Sequence, residues 1–207
     1  DIPGMREWIG DREVQNLSAS DYTIKNKDFE LTIGIDRNAI GDDKIGLFNP
    51  SIEMLGQSAA MHPDKLVFSL LKNGFNEKCF DGKAFFSSEH MIGKSKVSNK
   101  GTAKLSLDAY VAARAGMMSL TNSKGEPWLV VPPALEKAAL DITEADFING
   151  TRNTMKGTAK PLVVPQLAGS DTAWFLLCTT RPIKPLIYQQ RKKAKFVSKT
   201  NETDDNV

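Results

Sequence analysis

IGLFNPSIEMLGQSAAMHPDKLVFSLLKNGF, residues 45–75, is the stretch that decides the fold. Its apolar residues recur at steps of three and four positions, which is the periodicity of a helix with one apolar face. These residues are Ile45, Phe48, Ile52, Leu55, Ala59, Leu66 and Leu70. The pattern predicts one long helix. Because that helix carries a single apolar stripe, another element has to be laid along it.

Two prolines mark the course of this helix. Asn49 and Pro50 fit an N-cap followed by proline at the first helical position, so we expect the helix to start or bend there. Pro63 lies within the stripe, and an internal proline loses a backbone hydrogen bond and clashes with the preceding turn, which predicts a kink or a restart. The pair Asn73 and Gly74 predicts the C-terminal end.

The residues before the helix predict an extended hairpin. Between residues 29 and 35, every second residue is apolar, which is the period of a half-exposed strand. These apolar residues are Phe29, Leu31, Ile33 and Ile35. We interpret residues 22–24 as an earlier strand piece and residues 25–28 as the turn. Only the long helix or another subunit is placed to cover the apolar face of this hairpin.

Further elements follow the long helix. Asp81 and Gly82 stand between two aromatic pieces and predict a tight turn. Residues 87–105 are rich in Ser, Lys, Gly and Asn without periodicity, and they predict a long surface loop. Residues 107–120 predict a second helix, capped by Ser106. Its expected buried face comprises Leu107, Tyr110, Val111, Ala115, Met117 and Met118.

The second half of the chain predicts short strands separated by a helix and a polar segment. The continuous apolar run at residues 128–131 indicates a central strand covered on both faces. Residues 133–140 predict a helix opened by proline, and residues 146–160 predict a loop. Residues 161–165 and 173–178 predict two further strands. The chain is therefore mixed α+β, without the regular strand–helix alternation of a doubly wound sheet.

Composition and charge exclude several classes of protein. The 207 residues are 41% hydrophobic and carry a net charge of +2, which is too balanced to indicate a nucleic-acid surface. No apolar run is long enough to span a bilayer, and the opening DIPGMREWIGD has no signal-peptide pattern. Because it lacks an initiator Met, we expect processing or excision from a longer chain. Cys79 and Cys178 fit either reduced thiols or one long-range disulfide.

Catalytic patterns are weak in this sequence. No glycine-rich phosphate loop occurs. His62 lies on the helix stripe, where a packed structural histidine is favoured over a catalytic one. His90 follows Glu89, a pair that is weak as a metal site, and the cysteines and histidines lack zinc-type spacing. We therefore predict no catalytic, cofactor-binding or metal-binding residues, and no enzyme activity.

Charged runs also have simple explanations. The basic residues 191–195 fit a solvated face or an inter-subunit salt-bridge patch better than a nucleic-acid surface, because no aromatic stacking set accompanies them. Asp42 and Asp43 fit the electrostatics of a helix start, and the final residues 200–207 fit a disordered tail. An extended hairpin, a long helix and long polar loops together indicate an assembly protein.

Five collinear segments closely resemble the major head subunit of Mu-like bacteriophages and prophages, the gpT family. They are MREWIGDREVQNLSASDYTIKNKDFELTIGIDR, the long helix ending LLKNGF, CFDGKAFFSSEH, WLVVPPALEKAAL and RPIKPLIYQQRKKAKFVS. The resemblance covers nearly the whole chain. It implies the Hong Kong 97-type capsid fold, with a long spine helix, an E-loop hairpin, and peripheral and axial domains. Members of the family are longer at both ends, so this chain resembles an excised core or a divergent prophage copy.

The resemblance also implies a division of the chain into four parts. Residues 1–44 correspond to the extended arm with the E-loop hairpin. Residues 45–105 correspond to the spine helix and the peripheral-domain strands with their long loop. Residues 106–172 correspond mostly to the axial domain, and residues 173–207 to the return to the peripheral sheet and a polar tail.

The implied function is structural. Copies of the chain are expected to form pentamers and hexamers of an icosahedral shell around DNA, which they bind only non-specifically. The implied partners are a scaffolding protein and a portal, without membrane or cofactor. The implied location is the virion, and the host cytoplasm before assembly. We expect residues 22–36 to be the inter-subunit arm, and residues 87–104 and 146–160 to make contacts around the local symmetry axes.

Two alternatives stay open at this point. A cellular nanocompartment shell protein shares the same fold and encloses a cargo enzyme in place of DNA. A metal-dependent hydrolase is the other alternative, and it would use His90, Glu89 and Cys79.

Overall fold

The computed structural model describes residues 25–36, 46–79, 81–92, 94–121, 126–181 and 184–199. Its helices are α1 (Asn49–Asn73), α2 (Leu107–Thr121) and α3 (Glu136–Thr143). Its strands are β1 (His90–Ile92), β2 (Ser95–Val97), β3 (Trp128–Val131), β4 (Phe147–Ile148), β5 (Thr151–Arg152), β6 (Lys160–Val163) and β7 (Phe175–Leu177). The predicted strand piece at residues 22–24, the acidic pair at residues 42–43 and the tail at residues 200–207 lie outside the described residues.

Helix α1 confirms the long helix. It runs unbroken over 25 residues with Pro50 in its first turn, so a restart at Pro63 is wrong. The expected cap at Asn49 is also wrong, because the carbonyl of Phe48 already accepts the first helical bond, from the amide of Ile52 at 3.2 Å. No side chain caps this end. A bend of the axis at either proline stays a prediction.

The C-terminal end of α1 packs on the sheet in a register one residue away from the predicted stripe. Leu71 is fully buried, whereas Leu70 is 47% exposed. Gly74 follows the helix as predicted, but with a right-handed φ of −60°. Glycine is needed there for space, because a Cβ atom would lie 2.9 Å from the ring of Phe86. The aromatic ring therefore reaches the end of α1 only because the residue has no side chain.

The predicted strand at residues 29–35 is wrong for this chain. Residues 25–36, the arm segment, form no strand or helix. Strand pairing needs a neighbour whose backbone groups can be hydrogen-bonded. Within the described residues, the three sheets contain only β1 to β7. The alternation of apolar residues therefore specifies one apolar face but not the element that covers it.

Strand β3 is the centre of a three-stranded sheet. It pairs in parallel with β6 and antiparallel with β7. Leu129, Val130 and Val131 are fully buried although they alternate between the two faces. This confirms the prediction of a central strand covered on both sides. The predicted boundary between residues 106–172 and 173–207 separates β7 from the strand with which it pairs, and the domain division stays a prediction.

Two apolar clusters cover the two faces of this sheet. The first joins the end of α1 to one face and to the 3-10 turn Pro165–Leu167. Its buried members are Leu71, Val130, Val164, Leu167, Phe175 and Leu177. The second joins α2 and α3 to the opposite face. Its buried members are Tyr110, Leu129, Val131, Ala139, Ile142 and Ala159.

Helix α2 confirms the predicted position and cap. The amide of Ala109 donates to the hydroxyl oxygen of Ser106 at 3.2 Å. Tyr110 is fully buried, but Val111 is 41% exposed and Ala115 is also exposed, so the predicted face was too wide. The covered stripe follows steps of three and four residues: Leu107, Tyr110, Arg114 and Met117.

Both predicted polar loops contain short β-hairpins, so their assignment as irregular loops is wrong. Strands β1 and β2 pair from His90 opposite Val97, and β4 and β5 pair around Asn149 and Gly150. Those two turn residues have φ values of 49° and 78°, the left-handed geometry of a two-residue hairpin turn. Strands of two or three residues are too short to show a period in the sequence. No helix in the described ranges has the length and apolarity to cross a membrane.

Candidate assembly surface and a polar side-chain cluster

The arm segment lies along α1 and runs antiparallel to it. The ring of Phe29 meets the ring of His62 edge to face, with centroids 4.4 Å apart. Ile35 lines a cleft with Phe48 at the other end of the contact. The helix rises about 21 Å between His62 and Phe48, and six steps of extended chain cover about 20 Å. The two lengths agree, so the arm segment is stretched out beside the helix.

His62 is held by this contact. Its Nε2 atom is buried and has no hydrogen-bond partner within the described residues. Within the described residues, its ring packs against that of Phe29. This environment fits the packed structural histidine that the sequence favours.

An open cleft of about 420 Å³ separates the end of the arm segment from the first turn of α1. The arm contributes apolar side chains and one carboxylate to its walls. The lining residues are Ile33, Gly34, Ile35, Asp36, Phe48 and Ser51. The arm therefore touches the helix without filling the space against it.

Apolar side chains remain exposed on both elements. We call this region the apolar arm–helix surface. Its members are Phe29, Leu31, Ile33, Leu47, Ile52, Met54 and Met61, each between 40 and 68% exposed. Met54 and Met61 lie on one face of α1 and Ile52 on the opposite face, because residues two positions apart in a helix are turned by about 200°. Exposed apolar side chains in this number indicate contacts with other macromolecules. The part of α1 that carries it precedes the last turns, where the helix packs on the sheet.

Other predicted contact regions also carry exposed apolar residues. Met91 in the first hairpin is 58% exposed, and Phe147 in the second is 65% exposed. The basic residues 191–195 are exposed, and exposed Tyr188 and Phe196 flank them. None of these aromatic residues is recorded in a ring contact within the described residues.

A second feature of the chain is a cluster of three chemically different side chains. Cys79 and Asp81 lie in the predicted tight turn, in which Gly82 has a φ of 74°. The turn is closed by the amide of Cys79, which donates to the carbonyl of Lys83 at 2.8 Å. An isolated β-bridge between Lys78 and Ala84 flanks it. The prediction of a tight turn is confirmed.

Asp81 joins the other two members of the cluster. Its Oδ1 atom accepts from the Cys79 thiol at 3.0 Å and from the Lys83 amide at 3.0 Å. Its Oδ2 atom lies 2.5 Å from Nδ1 of His90, the first residue of β1. The hydrogen bonds from Cys79 and then from His90 hold the pKa of the Asp81 carboxyl far below its usual range. The carboxylate is therefore ionised.

The same contacts shift the other two groups. Burial, and then the hydrogen bond to Asp81, raise the pKa of the Cys79 thiol. Burial lowers the pKa of His90, but the bonds to Asp81 and to the carbonyl of Phe85 outweigh it and leave the pKa raised. The cluster thus holds a protonated thiol and favours an imidazolium around one carboxylate.

Glu89 does not belong to this cluster. Its carboxylate pairs with Lys96 across the hairpin at 2.6 Å, and this contact lowers the pKa of Glu89. Both cysteines are free thiols, so the alternative of a long-range disulfide is wrong. Cys178 contacts the hydroxyl of Thr180 at 3.3 Å. Asp81 is the residue that sequence reasoning missed, although its position two residues after a cysteine in an Asp-Gly turn was a signal.

Comparisons with known proteins point to one family. The family described as "Mu-like prophage major head subunit gpT" matches residues 1–104, 93–167 and 166–207. The chain is 31% identical, over 206 residues, to the "Major capsid protein" of Escherichia phage Mu. It is 29% identical, over 206 residues, to the "Mu-like prophage FluMu major head subunit" of Haemophilus influenzae. All of the chain is covered, but only 50% and 49% of these two proteins, so the chain spans about half their length.

Two solved structures of one phage have a similar fold. The capsid of bacteriophage JBD30 has a TM-score of 0.65 at 22% identity, over 81% of this chain and 83% of that chain. The procapsid of the same phage has a TM-score of 0.63 at 23% identity, over 80% and 84%. At this identity the likeness shows the fold alone. It confirms the expected α+β capsid fold of the Hong Kong 97 type.

Proposed function

Because the chain belongs to the Mu-like prophage major head subunit gpT family, a family of structural capsid subunits and not of enzymes, we propose that it builds the shell of a phage head by self-association. The observation that carries this proposal is the apolar arm–helix surface. Phe29 and Leu31 are 55 and 58% exposed in the single subunit, although an alternating apolar pattern is typical of a covered face.

A second copy of the chain is the proposed cover. Fully burying a side chain of this size contributes about 1.5–3 kcal/mol. One such contact is weak, but every subunit of a closed shell makes it, and the repeated contacts act together. The open cleft between the arm segment and α1 leaves room for the arm to adjust its position when a neighbour packs on it.

The finer assignments are part of the same proposal. We assign residues 22–36 to the inter-subunit arm, in pentamers and hexamers of an icosahedral shell. Exposed Met91 and Phe147 support contacts around local symmetry axes by residues 87–104 and 146–160. The four-part division at residues 44/45, 105/106 and 172/173 is proposed with them. In this division β7 of the fourth part still pairs with β3 of the third part in one sheet.

The proposed partners follow from this role. A scaffolding protein and a portal would meet the growing shell in the host cytoplasm, and the finished subunit would reside in the virion. The enclosed DNA would be bound only non-specifically, because a net charge of +2 provides few cations to neutralise phosphates.

The hydrolase alternative is not supported by the geometry. Glu89 is held by Lys96, and the thiol of Cys79 donates its hydrogen bond to Asp81 with a raised pKa. The three residues named for that alternative, His90, Glu89 and Cys79, are therefore not brought together, because Glu89 lies outside the cluster of Cys79, Asp81 and His90.

Electron microscopy tests the proposal. The longest product of the gene that contains this chain is expressed with and without its scaffolding protein. Shells or capsomers are the expected particles. Nuclease treatment followed by extraction then separates a DNA-filled head from the nanocompartment alternative, whose shells would retain a cargo protein and no protected DNA. A product that stays monomeric in the presence of the scaffold would overturn the proposal.

A further inference from the structure

Three metal-binding side chains converge at the turn that follows α1. We infer that Cys79, Asp81 and His90 form a binding site for one zinc ion. The sulfur of Cys79, a carboxylate oxygen of Asp81 and a ring nitrogen of His90 all lie within 4.8 Å of one another. The inference is independent of the proposed shell function, because it rests on one subunit alone.

The spacing of the donor atoms fits the ion. Zinc binds sulfur at about 2.3 Å, and nitrogen and oxygen at about 2.0–2.2 Å, so tetrahedral ligands lie about 3.3–3.7 Å apart. The present contacts from Asp81 are 3.0 Å to the thiol and 2.5 Å to Nδ1 of His90. Opening each of them by about 1 Å or less admits the ion. Zinc then takes the place of two hydrogens, the thiol proton of Cys79 and the Nδ1 proton of His90, which pass to solvent.

The chemistry of the donor set favours zinc over other common ions. A thiolate and an imidazole are the ligands that zinc prefers, whereas magnesium and calcium prefer oxygen alone. The single carboxylate of Asp81 completes a set of one sulfur, one nitrogen and one oxygen. With the ion bound, the thiolate, the carboxylate and the neutral imidazole balance its two positive charges.

Neighbouring groups already orient the histidine for this role. Nε2 of His90 donates to the carbonyl oxygen of Phe85 at 3.1 Å, which leaves Nδ1 facing the cluster. The side-chain Nδ2 atom of Asn99 donates to the same carbonyl at 2.6 Å. The side-chain Oδ1 atom of Asn99 in turn accepts from the backbone amide of Ser87 at 2.8 Å. A metal-binding histidine is usually fixed in this way, by a backbone carbonyl on its second nitrogen.

The site is reachable from solvent and has an open side. The side chains of His90 and Asp81 are 16 and 23% exposed. Three protein ligands leave one tetrahedral position for water or for a group from another molecule. A bound ion would link the turn that contains Cys79 and Asp81 with His90, the first residue of β1. The residue spacing matches no common zinc motif, which is why the sequence alone disfavours a metal here.

Cobalt(II) binding to the full chain tests the inference by spectroscopy. Titration of the chelator-treated protein with cobalt(II) is expected to give a thiolate-to-metal charge-transfer band that saturates at one ion per chain. Added zinc is then expected to displace cobalt(II) and remove the band. Cys79→Ser is expected to abolish the band. Asp81→Asn and His90→Gln are expected to weaken zinc binding at least tenfold in competition with a chromophoric chelator. Cys178→Ser and Glu89→Gln are the matched controls and are expected to bind as the wild type does.

Alkylation gives a readout that does not depend on how well a variant folds. In the wild-type chain, zinc is expected to slow alkylation of Cys79 at least tenfold, while Cys178 in the same molecule reacts at an unchanged rate. Equal protection of both cysteines, no protection of Cys79, or a cobalt band that survives Cys79→Ser would each overturn the site.

Discussion

Leu31→Ala is expected to weaken assembly without lowering the stability of the folded subunit. Leu31 lies on the arm segment and is 58% exposed. Truncation of an exposed side chain changes the free energy of unfolding by about 0.5 kcal/mol or less. The uncovered part of a leucine still has about 1–1.7 kcal/mol to contribute when a neighbour buries it. Since 1.4 kcal/mol is a factor of ten in an equilibrium constant, the concentration needed for assembly should rise about 5- to 20-fold.

Two measurements on the same preparations separate the two effects. Sedimentation velocity over a range of concentrations reports assembly, and urea denaturation of the dissociated subunit reports stability. Thr32→Ala is the matched control, because Thr32 is the exposed neighbour and its hydroxyl donates to the carboxylate of Glu30 at 2.8 Å. Assembly of Leu31→Ala at the wild-type concentration would refute the assignment of the arm. If Leu31→Ala lowers the free energy of unfolding of the subunit by more than about 1 kcal/mol, Leu31 is not exposed as the calculation requires.

Three further predictions concern the fold and the polar cluster. Leu71→Ala should lower the free energy of unfolding by about 2–5 kcal/mol, and Leu70→Ala by less than about 1 kcal/mol, because only Leu71 is fully buried; equal losses in urea denaturation would contradict this register. Asn153→Ala should lower the free energy of unfolding by about 2–4 kcal/mol, which a lower Tm would show. The buried Nδ2 atom donates to three carbonyl oxygens at 2.9–3.3 Å, and these would lose their donor. In metal-free protein the pKa of His90 lies above its ordinary 6.5. The contribution of the His90–Asp81 pair to the free energy of unfolding is therefore complete below about pH 6.5, and it is lost as the pH rises through the pKa of His90 in the folded state. An NMR titration should show that pKa fall in Asp81→Asn, and an unchanged pKa would count against the pair.

Several elements were predictable from the sequence because their signals are local or strongly periodic. The long helix, its end at Gly74, the cap at Ser106 and the turn at Gly82 depend on residues that are close together in the chain. Strand β3 was predictable as a central strand because burial on both faces leaves a continuous apolar run. The family and its fold were predictable because long collinear segments carry more information than any single motif.

Other features depend on contacts that no short pattern encodes. The alternation around Leu31 specifies a face but not its partner, so a hairpin strand was expected where the arm segment lies beside α1. Leu70 was predicted to be buried where the structure buries Leu71, because the apolar stripe was extrapolated from the exposed half of α1. The polar cluster was not predicted, because Asp81 and His90 are nine positions apart in sequence and only the turn and β1 bring them together.

The order in which the sheet is completed has a consequence for biosynthesis. Leu71 emerges from the ribosome about 100 residues before Phe175 of β7, which belongs to the same apolar cluster. At about 5–20 residues per second, that delay lasts about 5–20 seconds. During this interval α1 and the arm segment are already made, but the end of the helix has no completed sheet to pack on. Neighbouring nascent chains on one messenger RNA then display identical uncovered surfaces. The speed of translation therefore helps to set how long a subunit is open to premature association before its own core closes.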